Sequence, residues 1–255
     1  MTEPATPQLV AHRGYMHRYP ENSRPGLQAA LEAGACWLEF DVQMCPDGEF
    51  VVLHDDNFVR TAGVDQSVFD LDSDRIAISV HEPQRFAARF APTPVATLTG
   101  VLQMLANWPV ARAMVEIKQE SIDRWGLEPV MTKLVPLLAP HQPQCTLIAY
   151  NSQALEWCRQ RAAIPVGWVL QAYDVAHRKR AEALAPDFLI CNQTKLPDNA
   201  TPWPGPWQWM LYDIVEPDQA VDWAARGVSL IETADIGGML QDSRLKQRAC
   251  PHGAL

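Results

Sequence analysis

The sequence predicts an α/β fold closed as a (β/α)8 TIM barrel, and three observations predict it. The length, 255 residues, is that of one such barrel, although length alone also allows two smaller domains. Short apolar runs alternate with longer helical patterns from one end of the chain to the other, as in a parallel sheet with helical crossovers. Eight such runs can be read, which favours closure, while periodicity alone leaves an open sheet as the alternative.

Taken in order, the apolar runs at 9–12, 37–42, 113–118, 146–150, 166–170, 188–191, 209–214 and 228–232 read as strands. Helical patterns fall between them at 24–33, 98–106, 127–138, 153–161, 176–184 and 217–226, with a further one at 238–248 after the last strand. Residues 43–95 break the rhythm. Asp47-Gly48 signals a tight turn, 49–54 reads as a strand behind it, and 60–94 has mixed polarity and no clean period. The stretch 194–207, with four prolines and one glycine, replaces most of a crossover helix, so a short helix is expected there.

Bulk composition, 47% hydrophobic and 20% charged, suffices to bury a sizeable core. A net charge of −9 argues against a general nucleic-acid binder, which carries a basic face. It does not argue against an anionic substrate, because a bound cation inverts the local field. No apolar run is long enough to span a bilayer, so no stable membrane anchor is expected. Residues 1–8 are polar and proline-rich, without the charged and apolar regions of a secretory signal. Cys36, Cys45, Cys145, Cys158, Cys191 and Cys250 are dispersed and form no Cys-x-x-Cys pair, which reads as reduced core thiols in a cytoplasmic protein. Nothing in the sequence sets the oligomeric state.

Chemistry-bearing residues crowd the first half of the chain. His12 ends the first strand, Glu39 and Asp41 fall toward the end of the second, and Glu116 and Lys118 toward the end of the third. In a parallel barrel the site lies at those C-terminal ends. The i, i+2 spacing points both members of each pair into the barrel mouth. Two unit charges 4 Å apart repel by ~4 kcal/mol at an effective dielectric of ~20. Glu39, Asp41 and Glu116 therefore raise one another's pKa or capture a cation, and all-oxygen ligation suits Mg²⁺ or Ca²⁺ rather than zinc. Histidine trades protons near neutral pH and arginine forks onto phosphate. With His54, Asp55 and Arg13 added, the set describes a metal-assisted phosphoester site.

Seven elements then stand in one order: His12-Arg13-Gly14, Pro20-Glu21-Asn22, Glu39-Phe40-Asp41, Asp47-Gly48, His54-Asp55, Arg60-Thr61 and Glu116-Ile117-Lys118. In this series the chain resembles the glycerophosphodiester phosphodiesterase family, sharply over 9–61 and 111–118 and diffusely afterwards. The resemblance implies one TIM-barrel domain over residues 1–255 with 43–95 as an insertion after the second strand. It implies hydrolysis of a small-molecule glycerophosphodiester to sn-glycerol 3-phosphate and an alcohol, with one divalent cation, Mg²⁺ or Ca²⁺, on Glu39, Asp41 and Glu116. It suggests His12 as base and His54 as acid in a first step, in which a hydroxyl of the substrate attacks and a cyclic phosphate forms for water to open. Arg13, Lys118 and Asn22 are expected on the phosphate. Asp55 is expected to orient His54 or to cap a turn, Glu21 is left open between loop and site, and Arg60-Thr61 is expected to anchor the insertion.

The last quarter departs from the family. Tyr212-Asp213-Ile214-Val215 stands where the family has Trp-Thr-Val-Asn, and Ile231-Glu232-Thr233-Ala234-Asp235 lacks the proline of Thr-Asp-x-Pro. Tyr212 and Trp207 are candidates for an alcohol pocket. Two other readings stand beside the first. A lysophospholipase D-like enzyme at a membrane surface requires an exposed apolar rim, for which 203–209, with three tryptophans, is the candidate. A non-catalytic barrel binding a phosphorylated ligand requires the loss of a histidine or metal ligand, and none is lost. His17, His81, His141, His177 and His252 lack motif context and read as surface or packing residues.

Overall fold

The computed structural model describes residues 6–87, 89–142 and 144–246. Cys250 and His252 lie outside them. Eight parallel strands close into a barrel: β1 (Gln8–Ala11), β2 (Trp37–Met44), β3 (Arg112–Ile117), β4 (Cys145–Ala149), β5 (Val166–Val169), β6 (Phe188–Asn192), β7 (Gln208–Tyr212) and β8 (Leu230–Thr233). Each lies within two residues of its expected bounds. Neighbours pair in chain order, and β1 closes the ring by pairing with both β8 and β2. All eight residues of β2 are buried, as for a strand covered on both faces.

Crossover helices cover the outside: α1 (Arg24–Glu32), α2 (Leu98–Leu105), α3 (Leu127–Leu138), α4 (Ser152–Arg161), α5 (Val175–Leu184) and α6 (Pro217–Ala225). Several start on side-chain caps that satisfy backbone N–H groups the helix leaves open. The Ser23 hydroxyl accepts from Gly26 N–H at 3.1 Å, Thr97 from Gly100 N–H at 3.1 Å, and Asp174 from His177 N–H at 2.8 Å. Leu27, Ala30 and Leu31 form the buried stripe of α1, and Val101, Leu102 and Leu105 that of α2.

Three expectations are corrected. The helix expected over 238–248 is only Ile236–Met239, followed by turns to 245; Gly237 and Gly238 make it a poor helix, and 247–248 lie outside the described residues. The proline-rich stretch after β6 holds no short α-helix, only the 3₁₀ turn Gln193–Lys195. A helix not expected, Gln119–Trp125, precedes α3 and shares Gly126 as its boundary with it. Between β2 and α2 the chain folds back as Phe50–Val52, antiparallel to the end of β2, around a turn in which Gly48 has φ 84°. The rest of that segment is short helical pieces and a two-stranded ribbon, gathered on a small apolar cluster that includes Cys45, Val51, Leu53, Phe58 and Val68.

Alternation along the strands divides the barrel interior into layers. Val10, Met114, Ile148, Ile190, Met210 and Leu230 fill it with apolar side chains. Two residues further along β1, β3, β4, β7 and β8 come His12, Glu116, Tyr150, Tyr212 and Glu232, which line a cleft at the C-terminal end. An apolar plug thus carries a polar crown.

The turn leaving β1 depends on Gly14. Its φ is 85°, and a Cβ there would lie 2.7 Å from the carbonyl carbon of Gly26 and 2.8 Å from the backbone nitrogen of Leu27. Gly14→Ala is expected to cost at least about 1–2 kcal/mol from the left-handed backbone alone, before the clash with α1. A urea midpoint equal to that of the wild type would contradict this account of the turn.

Candidate active site

The crown gathers most of the residues the sequence singled out. His12, Arg13, Glu39, Asp41, His54, Glu116 and Lys118 line one cleft with Tyr150, Tyr212, Asp213 and Glu232. Asp41 is its most heavily held member. The Arg13 guanidinium reaches it at 3.2 Å through Nε, a charge contact without hydrogen-bond alignment, and Lys118 Nζ lies 3.4 Å from its other oxygen. The Asn22 side chain donates to Asp41 Oδ2 at 2.9 Å and accepts the Asp41 backbone N–H at 3.2 Å. Both amide groups of Asn22 are thus engaged with Asp41. Its φ of 52° is a conformation that asparagine tolerates better than most residues.

Glu39 is held differently. It accepts the Arg13 backbone N–H at 3.0 Å, and His12 Nε2 lies 3.9 Å from its Oε2. Glu116 receives Lys118 Nζ at 2.8 Å. Beside the end of β2, His54 Nδ1 meets Asp55 Oδ1 at 2.6 Å, and Arg60 grips Asp55 through Nε at 2.9 Å and Nη2 at 3.0 Å. Arg60 also binds both oxygens of Glu21, which in turn takes Arg13 at 2.9 Å. Glu21, left open by the sequence, therefore joins the loop after β1 to the segment after β2. Its backbone N–H donates to Glu82 of that segment.

The electrostatics follow from burial and from this pairing. Burial opposes ionisation of Asp41, but Arg13 and then Lys118 outweigh it and hold its carboxyl below the usual range. Burial pushes Glu39 well above that range, with Asp41, Glu232 and Glu116 adding to the effect. Glu232 is raised for the same first reason, with Glu116 next. His12 is lowered to about 3, by burial first and the Arg13 charge second. The bond to His54 is the main cause that holds Asp55 low. Five carboxylates line the cleft against two permanent cations, Arg13 and Lys118. Oxygens of Glu39, Asp41 and Glu116 lie within 4.8 Å of one another, so this donor set fits a hard divalent cation.

Three lining residues escaped the sequence reading as functional candidates: Tyr150, Asp213 and Glu232. Tyr150 shares a 2.9 Å hydroxyl contact with Tyr212. The spacing of Glu232, two beyond the apolar Leu230 on the same inward face, carried the signal that it joins the crown. Trp207 does not line the cleft. It is buried in the outer core, and its indole N–H, like that of Trp209, donates to the Trp203 carbonyl. Trp203 stacks on Tyr173 with centroids 4.0 Å apart, so the three tryptophans of 203–209 are packed inward and form no exposed apolar rim. Among the described residues no helix is long and apolar enough to cross a membrane. Cys45, Cys145, Cys158 and Cys191 are free, buried thiols.

Comparison with known proteins places this barrel. The sequence profile of the glycerophosphoryl diester phosphodiesterase family matches residues 12–198, and the chain belongs to that family. A glycerophosphodiester phosphodiesterase of Caldanaerobacter subterraneus subsp. tengcongensis is 30% identical over 127 residues, 50% of this chain and 51% of the relative. The chain thus spans about half the length of that curated relative. A lysophospholipase D of Mus musculus is 29% identical over 46% of this chain and 37% of its own length. Among solved structures, an Oleispira antarctica phosphodiesterase in complex with the product sn-glycerol-3-phosphate superposes with a TM-score of 0.80 at 21% identity, over 92% of this chain and 96% of that one. A protein from Silicibacter pomeroyi described as a glycerophosphoryl diester phosphodiesterase gives a TM-score of 0.81 at 19% identity, over 94% and 93% of the two chains. These two likenesses concern the fold.

The His12 environment makes one solution prediction. An unfolded histidine takes up its proton near pH 6.5, whereas the buried ring does so only near 3. The stability contributed by this neutral ring is therefore lost as the pH falls through that window. In cation-free protein, nitrogen NMR of the His12 ring is expected to show no titration between about pH 8 and pH 5. A midpoint near 6.5 would refute the burial argument.

Proposed function

We propose that this protein hydrolyses glycerophosphodiesters to sn-glycerol 3-phosphate and an alcohol, using one divalent cation and two histidines. The observation that carries the reading is the convergence of His12 and His54 on one cleft with Glu39, Asp41, Glu116, Arg13 and Lys118. Family membership and the product carried by the Oleispira relative support it. The same reading takes 43–95 as an insertion within a single barrel domain, in keeping with the separate apolar cluster there.

Glu39, Asp41 and Glu116 would hold the cation. When bound, it supplies positive charge to the phosphodiester as negative charge develops on the phosphoryl oxygens. Arg13 and Lys118 supply more of that charge, and their carboxylate partners keep both oriented before substrate arrives. His12, kept neutral by burial, accepts the proton of the attacking hydroxyl. His54 delivers a proton to the leaving alkoxide through Nε2, since Nδ1 is engaged with Asp55. Water then opens the cyclic phosphate with the two roles exchanged. Tyr212, paired to Tyr150 at the mouth, is the residue we place nearest the leaving alcohol. The membrane-surface alternative has less support, because the tryptophans that would form its rim are buried.

Glycerophosphocholine incubated with the protein and Mg²⁺ or Ca²⁺ is expected to yield choline and sn-glycerol 3-phosphate, with lysophosphatidylcholine cleaved poorly. EDTA should stop the reaction and added metal restore it; full activity in excess EDTA would refute metal dependence. Glu39→Gln should weaken metal binding and turnover together.

His12→Ala and His54→Ala should each lower kcat by about 10²–10⁴-fold while leaving the fold intact. The double variant should lose less than the product of the single losses, because the two act as a unit. A rate within a few-fold of wild type for either single variant would remove that histidine from the mechanism.

A further inference from the structure

The cleft contains a second set of ligand atoms, one member of which, Glu232, the proposed chemistry does not use. Donor atoms of His12, Glu39 and Glu232 lie within 4.8 Å of one another, so Glu39 belongs to two sets at once. The second set differs in kind, with one imidazole nitrogen beside two carboxylates. Hard cations such as Mg²⁺ and Ca²⁺ prefer oxygen alone, whereas imidazole with carboxylate suits Zn²⁺.

Two further observations mark this corner as a binding place. Glu232 is 3% exposed, and its Oε1 finds no hydrogen-bond partner among the described residues. His12 Nδ1 is likewise without one. The neighbouring acids show what a satisfied carboxylate looks like here, since Asp41 has Asn22, Arg13 and Lys118, and Glu116 has Lys118. A buried carboxylate oxygen with no donor is costly unless something else supplies positive charge. The backbone fixes where Glu232 points. It lies opposite Val10 in the β1–β8 register, and Leu230, two residues earlier, belongs to the apolar plug. His12 Nε2 and Glu39 Oε2 are 3.9 Å apart, a gap that a zinc ion with ligands at about 2.0–2.2 Å spans.

We propose that His12, Glu39 and Glu232 form a second cation site, selective for Zn²⁺-like ions over Mg²⁺ and Ca²⁺, and that filling it inhibits the protein. Inhibition follows because a nitrogen lone pair of His12 is engaged by the ion and is no longer available to accept a proton. That consequence rests on the hydrolytic reading above, while the binding itself does not.

The test is calorimetric titration of Zn²⁺ into the intact protein held in excess Mg²⁺. One zinc equivalent that Mg²⁺ does not displace is expected. Glu232→Gln and His12→Gln, each verified as folded by circular dichroism, should weaken it at least about tenfold, as the loss of one of three protein ligands implies. Co²⁺ added to the wild-type protein in the same Mg²⁺ should give a visible absorption band of a site with nitrogen ligation, a readout that needs no variant. Absence of both the Mg²⁺-resistant equivalent and the band would overturn the proposal, as would unchanged zinc affinity in both variants. Failure of the hydrolysis assay leaves this binding measurable, and loss of the binding leaves the hydrolysis reading untouched, so the two stand or fall separately.

Discussion

Mutual repulsion among buried carboxylates is the constraint around which the rest of this structure is arranged. β2, β3 and β8 each deliver acids to one small volume, and the barrel leaves them little water. Left alone, the group would ionise incompletely. The chain resolves the conflict unevenly. Asp41 receives two cations and an amide and stays charged, while Glu39 receives one backbone N–H and is pushed toward its neutral form. A cation arriving between them would meet one ready ligand and one whose ionisation burial opposes, so its charge would favour ionisation of Glu39.

The same constraint accounts for the long polar relay around the mouth. Arg13 faces Asp41 on one side and Glu21 on the other; Glu21 faces Arg60, and Arg60 holds Asp55, which meets His54. Each charge in the series is paired, and two of the pairs cross between elements: Arg13–Asp41 ties the loop after β1 to β2, and Glu21–Arg60 ties that loop to the segment after β2. The positions of His12 and His54, which the barrel frame alone does not relate, are thereby fixed against each other. Arg60 is the exposed link of the series, at 40%, and screening weakens it most.

Much of the barrel could be read from the sequence because its strands are short apolar runs with their own punctuation, and the first half of the site because Glu39-Phe40-Asp41 and Glu116-Ile117-Lys118 carry period-two spacing in plain view. What escaped did so for physical reasons. The contact between Asn22 and Asp41 was not legible, because the two lie 19 positions apart and no local pattern announces it. Glu232 passed as a departure from a family pattern, because its significance comes from a neighbour across the ring closure, in β1. Trp207 drew attention as one of three clustered tryptophans, yet clustering equally describes aromatic rings packing on one another, and that is what 203–209 does. The terminal helix failed where two glycines outweighed an apolar period.

The apolar plug beneath the crown has a consequence for traffic. Val10, Met114, Ile148, Ile190, Met210 and Leu230 are each at most 1% exposed, so the barrel axis is sealed immediately below the acids. The cleft is a cul-de-sac, and whatever enters by the mouth must leave by it. A reaction in two stages inside such a space is ordered by geometry. In the proposed two-stage reaction, the first fragment would leave by the same mouth through which the second-stage water must come, so the sealed floor of the barrel would order the two departures.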